Sequence, residues 1–395
     1  MAFYETFRWM AMFGKILGHL PVQNVFGSDS SLLYYKPLSW ATLYASCLYM
    51  GPCISLFSTF IRADYDIKIS RKFYNIVTVL LLSMLIRSLF CFVYCLKHHA
   101  KHVPKLIKLL DSFDRHRDQA LIRTKHSKIL KIFTGVVAPM IFTLACSSFY
   151  FVRSFLLVEN IYVAPRGAFL IPPFFGINCI WHFIPPLYYV YFSVKIASGF
   201  HQINNNLLYK RYAVSFFVEG QQKFDNDMAD HLSKIRLLHN LLSEATMRLS
   251  RCYGGFLAIN NLFLIVAVVV NLSAYICVTN DVNLISLVLI DGIYFLGMTL
   301  LANIIKKRGA KVARLFQGIP TSALSDRSRE EIQLWLMQLS VHPVQVNAAG
   351  YFILDKSQTF EVLSSIATYL IVAVQLLQEE DTKKTNVTVF YDELK

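Results

Sequence analysis

The chain has 395 residues, of which 55% are hydrophobic, 14% aromatic and only 16% charged, yet its net charge is +14. So little charge over such a length is unlike a soluble domain and points to a membrane protein. The usual nucleic-acid reading of a strongly basic chain is set aside, because basic residues of membrane proteins collect in loops on the cytoplasmic side.

The chain opens with MAFYETFRWMAMFGKILGHL, where Phe3, Phe7, Met10 and Leu17 recur at helical spacing. This reads as a short helix lying at the membrane surface, and no cleavable signal peptide is expected. A membrane-crossing helix needs about 20 mostly apolar residues. Seven stretches qualify, near 38–61, 74–96, 129–152, 177–199, 253–279, 283–305 and 357–378. The fifth and sixth are joined through Asn280, Asp281, Val282 and Asn283, which predicts a tight antiparallel pair. No internal repeat or separate soluble domain stands out.

Lys and Arg decide the orientation. Segments 1–37, 97–131, 200–252 and 306–356 carry 28 of them, whereas 62–73, 153–176, 280–282 and 379–395 carry 9. The positive-inside rule then places the N-terminus in the cytoplasm and the C-terminus outside. The Asn386-Val387-Thr388 glycosylation triplet is compatible with an outer C-terminus. The expected fold is an all-α membrane protein of seven transmembrane helices with cytoplasmic helical extensions that form an anchor.

The extensions are read from periodicity. Met228, Leu232, Ile235, Leu238, Leu242 and Leu249 share one helical face, so the fifth span should project well beyond the membrane. Lys195 to Leu208 continues the fourth span in the same way. Ser328 with Glu331 matches a capping box at the start of another helix. These helices either pack into one hub or rest separately on the bilayer.

The chain is a single unit of five parts. Residues 1–37 are a cytoplasmic segment and 38–305 hold six spans. Residues 306–356 form an anchor region, 357–378 a last span and 379–395 an outer tail. The eight cysteines contain no CxxC pair, which leaves buried free thiols as the expectation, with Cys146 and Cys179 near one membrane face. No metal or cofactor is expected. The histidines of Lys97–His102, KHHAKH, read as part of a basic interfacial patch.

The last span, ATYLIVAVQLLQ, is apolar except along one line: Ser364, Thr368, Ile371, Gln375 and Gln378 fall on one face. An amide in hydrocarbon must find a hydrogen-bond partner or water. The stripe therefore either joins this helix to another or lines a water-filled path. Glu379, Glu380 and Asp381 follow it and, if several copies met on an axis, would ring an outer mouth and concentrate cations.

Thr368-Tyr369, five apolar residues and then Gln375 resemble the C-terminal signature of insect gustatory receptors, with Leu376 where that family usually has Phe. The resemblance implies a tetrameric ligand-gated cation channel, homomeric or heteromeric, in the plasma membrane. Each subunit would give its last helix to a central pore. Gln375 and Leu376 match the family's outer gate, and Thr368, Ile371, Val372 and Gln378 line the same helix. It also implies a small-molecule tastant, such as a sugar or a bitter compound, bound in the outer half of each subunit.

Candidate pocket residues are Arg87, Tyr150, Trp181, His182, Tyr275, Asp291 and Tyr294. Arg87 in mid-span costs about 2.5–3.5 kcal/mol unless it faces protein or water. Asp291 is a possible partner, making either a polar pocket floor or a structural ion pair. Asn271 adds a polar group near Tyr275, while Asn260 and Asn261 read as helix-joining groups. The Pro-rich loop 164–176 is a candidate cap, and Pro185-Pro186 should kink the fourth span.

Two alternatives remain. An odorant-type channel subunit shares the architecture. A G-protein-coupled receptor has the reverse orientation, and no Asp-Arg-Tyr follows the third span. An enzyme would need His or acid clusters at membrane depth, and a transporter usually shows repeats; neither is found.

Overall fold

A computed structural model describes residues 3–27, 29–51, 54, 79, 82–83, 86–87, 89–120, 171–216, 221–276, 282–317 and 324–393. At 6, 118–120, 171–183, 209–216, 221–227, 274, 282–284, 286–287, 290–291, 294, 377 and 379–393 only the backbone is described. The third span, Tyr150, Cys146, most of the loop 164–176 and the turn at 280–281 lie outside this set.

Helices dominate. They are α1 (Phe3–Ile16), α2 (40–51), α3 (Ala100–Ala120), α4 (Ile171–Phe216), α5 (Gln221–Ala274), α6 (Val282–Gln317), α7 (Asp326–Val341) and α8 (Lys356–Glu393). A π-turn at Cys95–His99 leads directly into α3. Before α8 stands a two-stranded hairpin, β1 (Asn347–Ala348) and β2 (Phe352–Ile353), with Ala348 opposite Phe352. Its turn places Ala349 and Gly350 at φ of 54° and 90°. Only the glycine adopts that region without steric cost.

The length of α5 follows from its sequence. Its 54 residues span ~80 Å at about 1.5 Å per residue, far more than a membrane crossing requires. Met228, Leu232, Ile235, Leu238, Leu242 and Leu249 are all buried, as their common face predicts. They join one core with Val103, Leu106, Ile107 and Leu110 of α3 and Ile196, Phe200 and Ile203 of α4. The extensions thus form a packed hub, because burying these faces together removes far more apolar surface than resting each on a bilayer. α4 is continuous through Pro185-Pro186 and packs along α6, where the Tyr189 hydroxyl donates to the Met298 carbonyl at 3.3 Å.

Two local expectations change. The opening helix does not merely rest on a surface. Phe3, Tyr4, Phe7 and Ala11 of α1 are fully buried. The Phe7 ring lies 4.9 Å from Phe192 and 5.4 Å from Tyr191 on α4. The predicted apolar face is correct, but it meets aromatic rings of the protein, while Trp9, Phe13 and Ile16 face outward. The start of α7 is capped by Ser325, not by Ser328 with Glu331. Ser325 is extended, at φ −63° and ψ 157°, and its hydroxyl accepts from the Ser328 amide. Glu331 instead pairs with Arg236 of α5 at 2.9 Å.

Buried charge and histidine tie the hub together. The Lys195 ammonium of α4 donates to both carboxylate oxygens of Asp114 on α3 at 2.8 Å, and Arg117 reaches the same carboxylate at 2.9 Å. The same ammonium lies 5.5 Å over the Phe3 ring. His239 is wholly buried, with its Nε2 3.1 Å from the Gly309 carbonyl and its ring 5.3 Å from Trp335. The interaction with a carbonyl places the proton on Nε2. His99, within the KHHAKH run, is likewise buried against Tyr253 at 2.9 Å rather than solvated.

Burial lowers the pKa of His239, and of His99, to about 4. An unfolded histidine titrates near 6.5. Between those values the unfolded chain holds the extra proton, so stability is complete above about 6.5 and falls as pH drops toward 4. Moving from pH 7 to pH 5 should cost about 2 kcal/mol for each of these residues. Thermal unfolding of wild type and His239→Gln at both pH values checks this; an unchanged pH slope in the variant would refute it.

Candidate functional site

The last helix and the Arg87 contact are two places where polar groups stand in apolar spans. α8 docks on α5 and α6 through one narrow stripe. Val362 is 3% exposed and packs with Leu264, Val268 and Phe295, supported by Ile366. A helix turns 100° per residue, so the opposite side is set by counting. Ser364, Thr368, Ile371, Gln375 and Gln378 fall there, and all five are exposed in the single chain. The Thr368 hydroxyl donates back to the Ser364 carbonyl of its own helix at 3.0 Å.

At Ser364, Thr368 and Gln375 the stripe therefore joins α8 to no other described helix of the same chain. Only 6% of the apolar window within Lys356–Leu376 is buried, and Leu376 is 62% exposed. So apolar a helix carries a face that requires lipid, water or other copies of the chain. The helix also does not stop at 378; it continues to Glu393, so the acids at 379–381 and Asn386 lie on helical backbone.

Arg87 donates through Nη2 to the Asn260 side-chain oxygen on α5. A guanidinium and an amide oxygen form a strong, charge-assisted contact at this depth. Asn260 was read only as a helix-joining group, and that is its role here, toward a partner 173 positions earlier. The signal was present as an amide in an apolar run, but nothing local named its partner. Further along α5, Asn261, Asn271 and Ser273 are buried too. The Asn261 amide nitrogen and the Ser273 hydroxyl have no partner among the described residues. They sit in a stretch of α5 rich in Val, Leu and Ile, which is where a polar ligand would find hydrogen bonds.

The other predicted pocket residues are only partly placed. Trp181 and His182 lie on α4, and Asp291 and Tyr294 on α6, with backbone alone described. Tyr275 is half-buried just past the end of α5. The described side chains do not bring this set together. Cys91, Cys95 and Cys252 are buried free thiols, whereas Cys47 is exposed.

A profile of the family described as "7tm Chemosensory receptor" matches residues 8–379, nearly the whole chain. This chain belongs to the 7tm chemosensory receptor family. A gustatory and pheromone receptor 39a, isoform B, of Drosophila melanogaster is 31% identical to this receptor over 108 residues, 27% of this chain. The match spans only 28% of that relative's length. Among solved structures, the olfactory receptor OR5 of Machilis hrabei in complex with eugenol superimposes at a TM-score of 0.68. The overlay covers 94% of this receptor and 98% of OR5, at 12% identity. OR5 without that ligand gives 0.65 at 13% identity. The receptor therefore has the fold of an insect olfactory receptor, an all-α membrane architecture, as the helix pattern and the C-terminal motif implied.

Proposed function

We propose that this receptor is a tastant-gated cation channel in which the last helices of four copies surround one pore. The observation that carries the proposal is the polar stripe of α8. Ser364, Thr368, Gln375 and Gln378 point away from Val362 and the subunit's own core, in a helix too apolar to present amides to lipid. A water-filled axis between copies gives the Gln375 amide its hydrogen-bond partners, and the remaining exposed apolar positions meet lipid or neighbouring subunits.

In this reading Gln375 and Leu376 form the outer constriction: Gln375 stands on the stripe, and Leu376, 100° further round the helix, closes the space between neighbouring last helices by excluding water. Thr368, Ile371, Val372 and Gln378 line the path. The ligand pocket lies within each subunit, above the Arg87–Asn260 contact, where Asn271, Ser273 and Tyr275 offer polar and aromatic groups. Tyr150, Trp181, His182, Asp291 and Tyr294 are its further candidates. The N-terminus is cytoplasmic and the C-terminus outside, in the plasma membrane.

The test has two parts. An epitope after Lys395 should stain intact cells; staining only after permeabilisation would break the orientation. Purified receptor in plain liposomes should then show a low basal cation flux that Leu376→Ala raises about tenfold. Truncation removes three methylene equivalents at about 0.8 kcal/mol each, and about 1.4 kcal/mol is a factor of ten, so a tenfold rise needs little over half of that apolar contact to lie in the closed gate. Silence of both proteins, with the tetramer verified, would overturn the pore. An odorant-type channel is the second reading, favoured by the fold shared with an olfactory receptor bound to eugenol. A panel with sugars and alkaloids beside volatile phenols separates the two by which compounds raise the flux.

A further inference from the structure

A groove of about 690 Å³ opens at the polar end of the bundle, between the start of α3, the middle of α5 and the segment 341–350. Its described lining includes His98, His102, Arg251, His342, Ser250 and Asn347, and none of the described lining residues is acidic. The groove belongs neither to the α8 stripe nor to the Arg87 contact. Its volume is that of a small-molecule site.

One wall is a ladder of flat rings. Tyr94 stacks on His98 at 4.8 Å between centroids, and His98 faces His102 at 6.4 Å with 15° between planes. The Nδ1 of His102 is buried and has no partner among the described residues. Arg251 supplies a guanidinium, and the Asn347 backbone N–H donates to the Ser250 hydroxyl oxygen at 3.1 Å, which fixes the opposite wall. The field is positive: burial first, and then Arg248, Lys101, His98 and Lys105, lower the pKa of His102 to about 4. His98 is lowered by burial and by Lys97 and Lys101. A guanidinium and neutral imidazole N–H donors in a positive field, with no carboxylate among the described lining residues and with polar side chains at the rim, are the chemistry of phosphate recognition.

We propose that this groove binds a phosphate monoester, held by Arg251, His98, His102 and His342. His98 and Arg251 stand just beyond the ends of the second and fifth apolar spans, at the depth of lipid headgroups. The phosphate is therefore either the headgroup of an anionic lipid or a soluble phosphorylated molecule. The second wall, 341–350, leads through the hairpin into α8, so an occupant braces the approach to the last helix. Binding itself does not depend on the channel reading.

The experiment uses purified full-length receptor and reads thermal stability, which rises when a ligand binds the folded state. One arm adds phosphatidylcholine micelles containing phosphatidylinositol 4-phosphate, a second adds glycerol 3-phosphate, and pure phosphatidylcholine is the blank. Wild type should be stabilised over the blank in at least one phosphate arm. Arg251→Gln, an exposed change, should weaken the apparent affinity at least tenfold, and His102→Gln should do the same. Arg327→Gln, a charge change at the opposite end of α7 from the groove, should leave it unaltered. Stabilisation by the lipid alone assigns the headgroup; stabilisation by glycerol phosphate assigns a soluble source. No stabilisation in either phosphate arm, or equal affinity for wild type and Arg251→Gln, would overturn the site.

Discussion

Gly254→Ala is expected to destabilise the receptor by about 3 kcal/mol, the upper end of what overpacking usually costs. A Cβ at this position of α5 would lie 2.5 Å from the Ala349 nitrogen and 2.7 Å from the Asn347 carbonyl oxygen. Both obstacles are backbone, so no rotamer change relieves them. The hairpin must move away from α5, and with it the segment that enters α8. Gly297→Ala is the matched control. Nothing lies within 4 Å of its Cβ, and an alanine inside a helix gains roughly 0.5–1 kcal/mol over glycine. Thermal unfolding followed by size-exclusion fluorescence compares the two. A Gly254→Ala protein as stable as wild type would mean that the hairpin does not sit on α5 as described. The same protein also tests coupling: if 341–353 positions the last helix, a surviving fraction should show altered basal flux, whereas Gly297→Ala should not.

Asp114→Ala should cost about 3–5 kcal/mol, because removing one partner of a buried ion pair leaves a charge that neither water nor protein solvates well. The Asp114 side chain is 4% exposed and Lys195 13%. The carboxylate also holds Arg117, and Lys195 in turn lies over Phe3 of α1. A single side chain thus links α3, α4 and the opening helix. The double change Asp114→Leu with Lys195→Met should recover most of the loss, since apolar groups of similar volume fill the same space without desolvated charge. Melting temperatures of Asp114→Leu, Lys195→Met and the double variant complete the cycle. If Asp114→Ala lowers stability by less than about 1 kcal/mol, the triad is a surface-type contact and does not hold the three helices.

Parts of this protein are legible because their signal is local. The face Met228 to Leu249 recurs every three or four residues, so its burial follows from counting, and it is buried throughout. The polar line from Ser364 to Gln378 is found the same way. The family follows from nine residues of the last span together with the architecture of the whole chain. The misread features depend on what stands opposite. Ser328 with Glu331 satisfies the spacing of a capping box, yet the helix begins three residues earlier, so Ser325 makes the cap and Glu331 pairs with Arg236. Phe3 and Phe7 give the correct face of α1, but a sequence cannot say whether that face meets lipid or Tyr191 and Phe192. His98, His99 and His102 read as one basic patch; the helix that carries them sends His99 into the core and leaves the other two at a groove.

The sequence by itself determined that the chain is a membrane protein of long helices, that α5 and α4 run on past their apolar spans, and that the last helix bears one polar line. Each of these is a periodicity or a composition, and both are properties of neighbouring residues. Only the tertiary structure decided that Val362, diametrically opposite that line, is the side docked on α5 and α6. Only it decided that Arg87 meets Asn260, and that two histidine-bearing segments meet Arg251 of α5 at one groove. Those outcomes rest on contacts between residues far apart in the chain, where many partners have the right chemistry and packing of the whole core selects one.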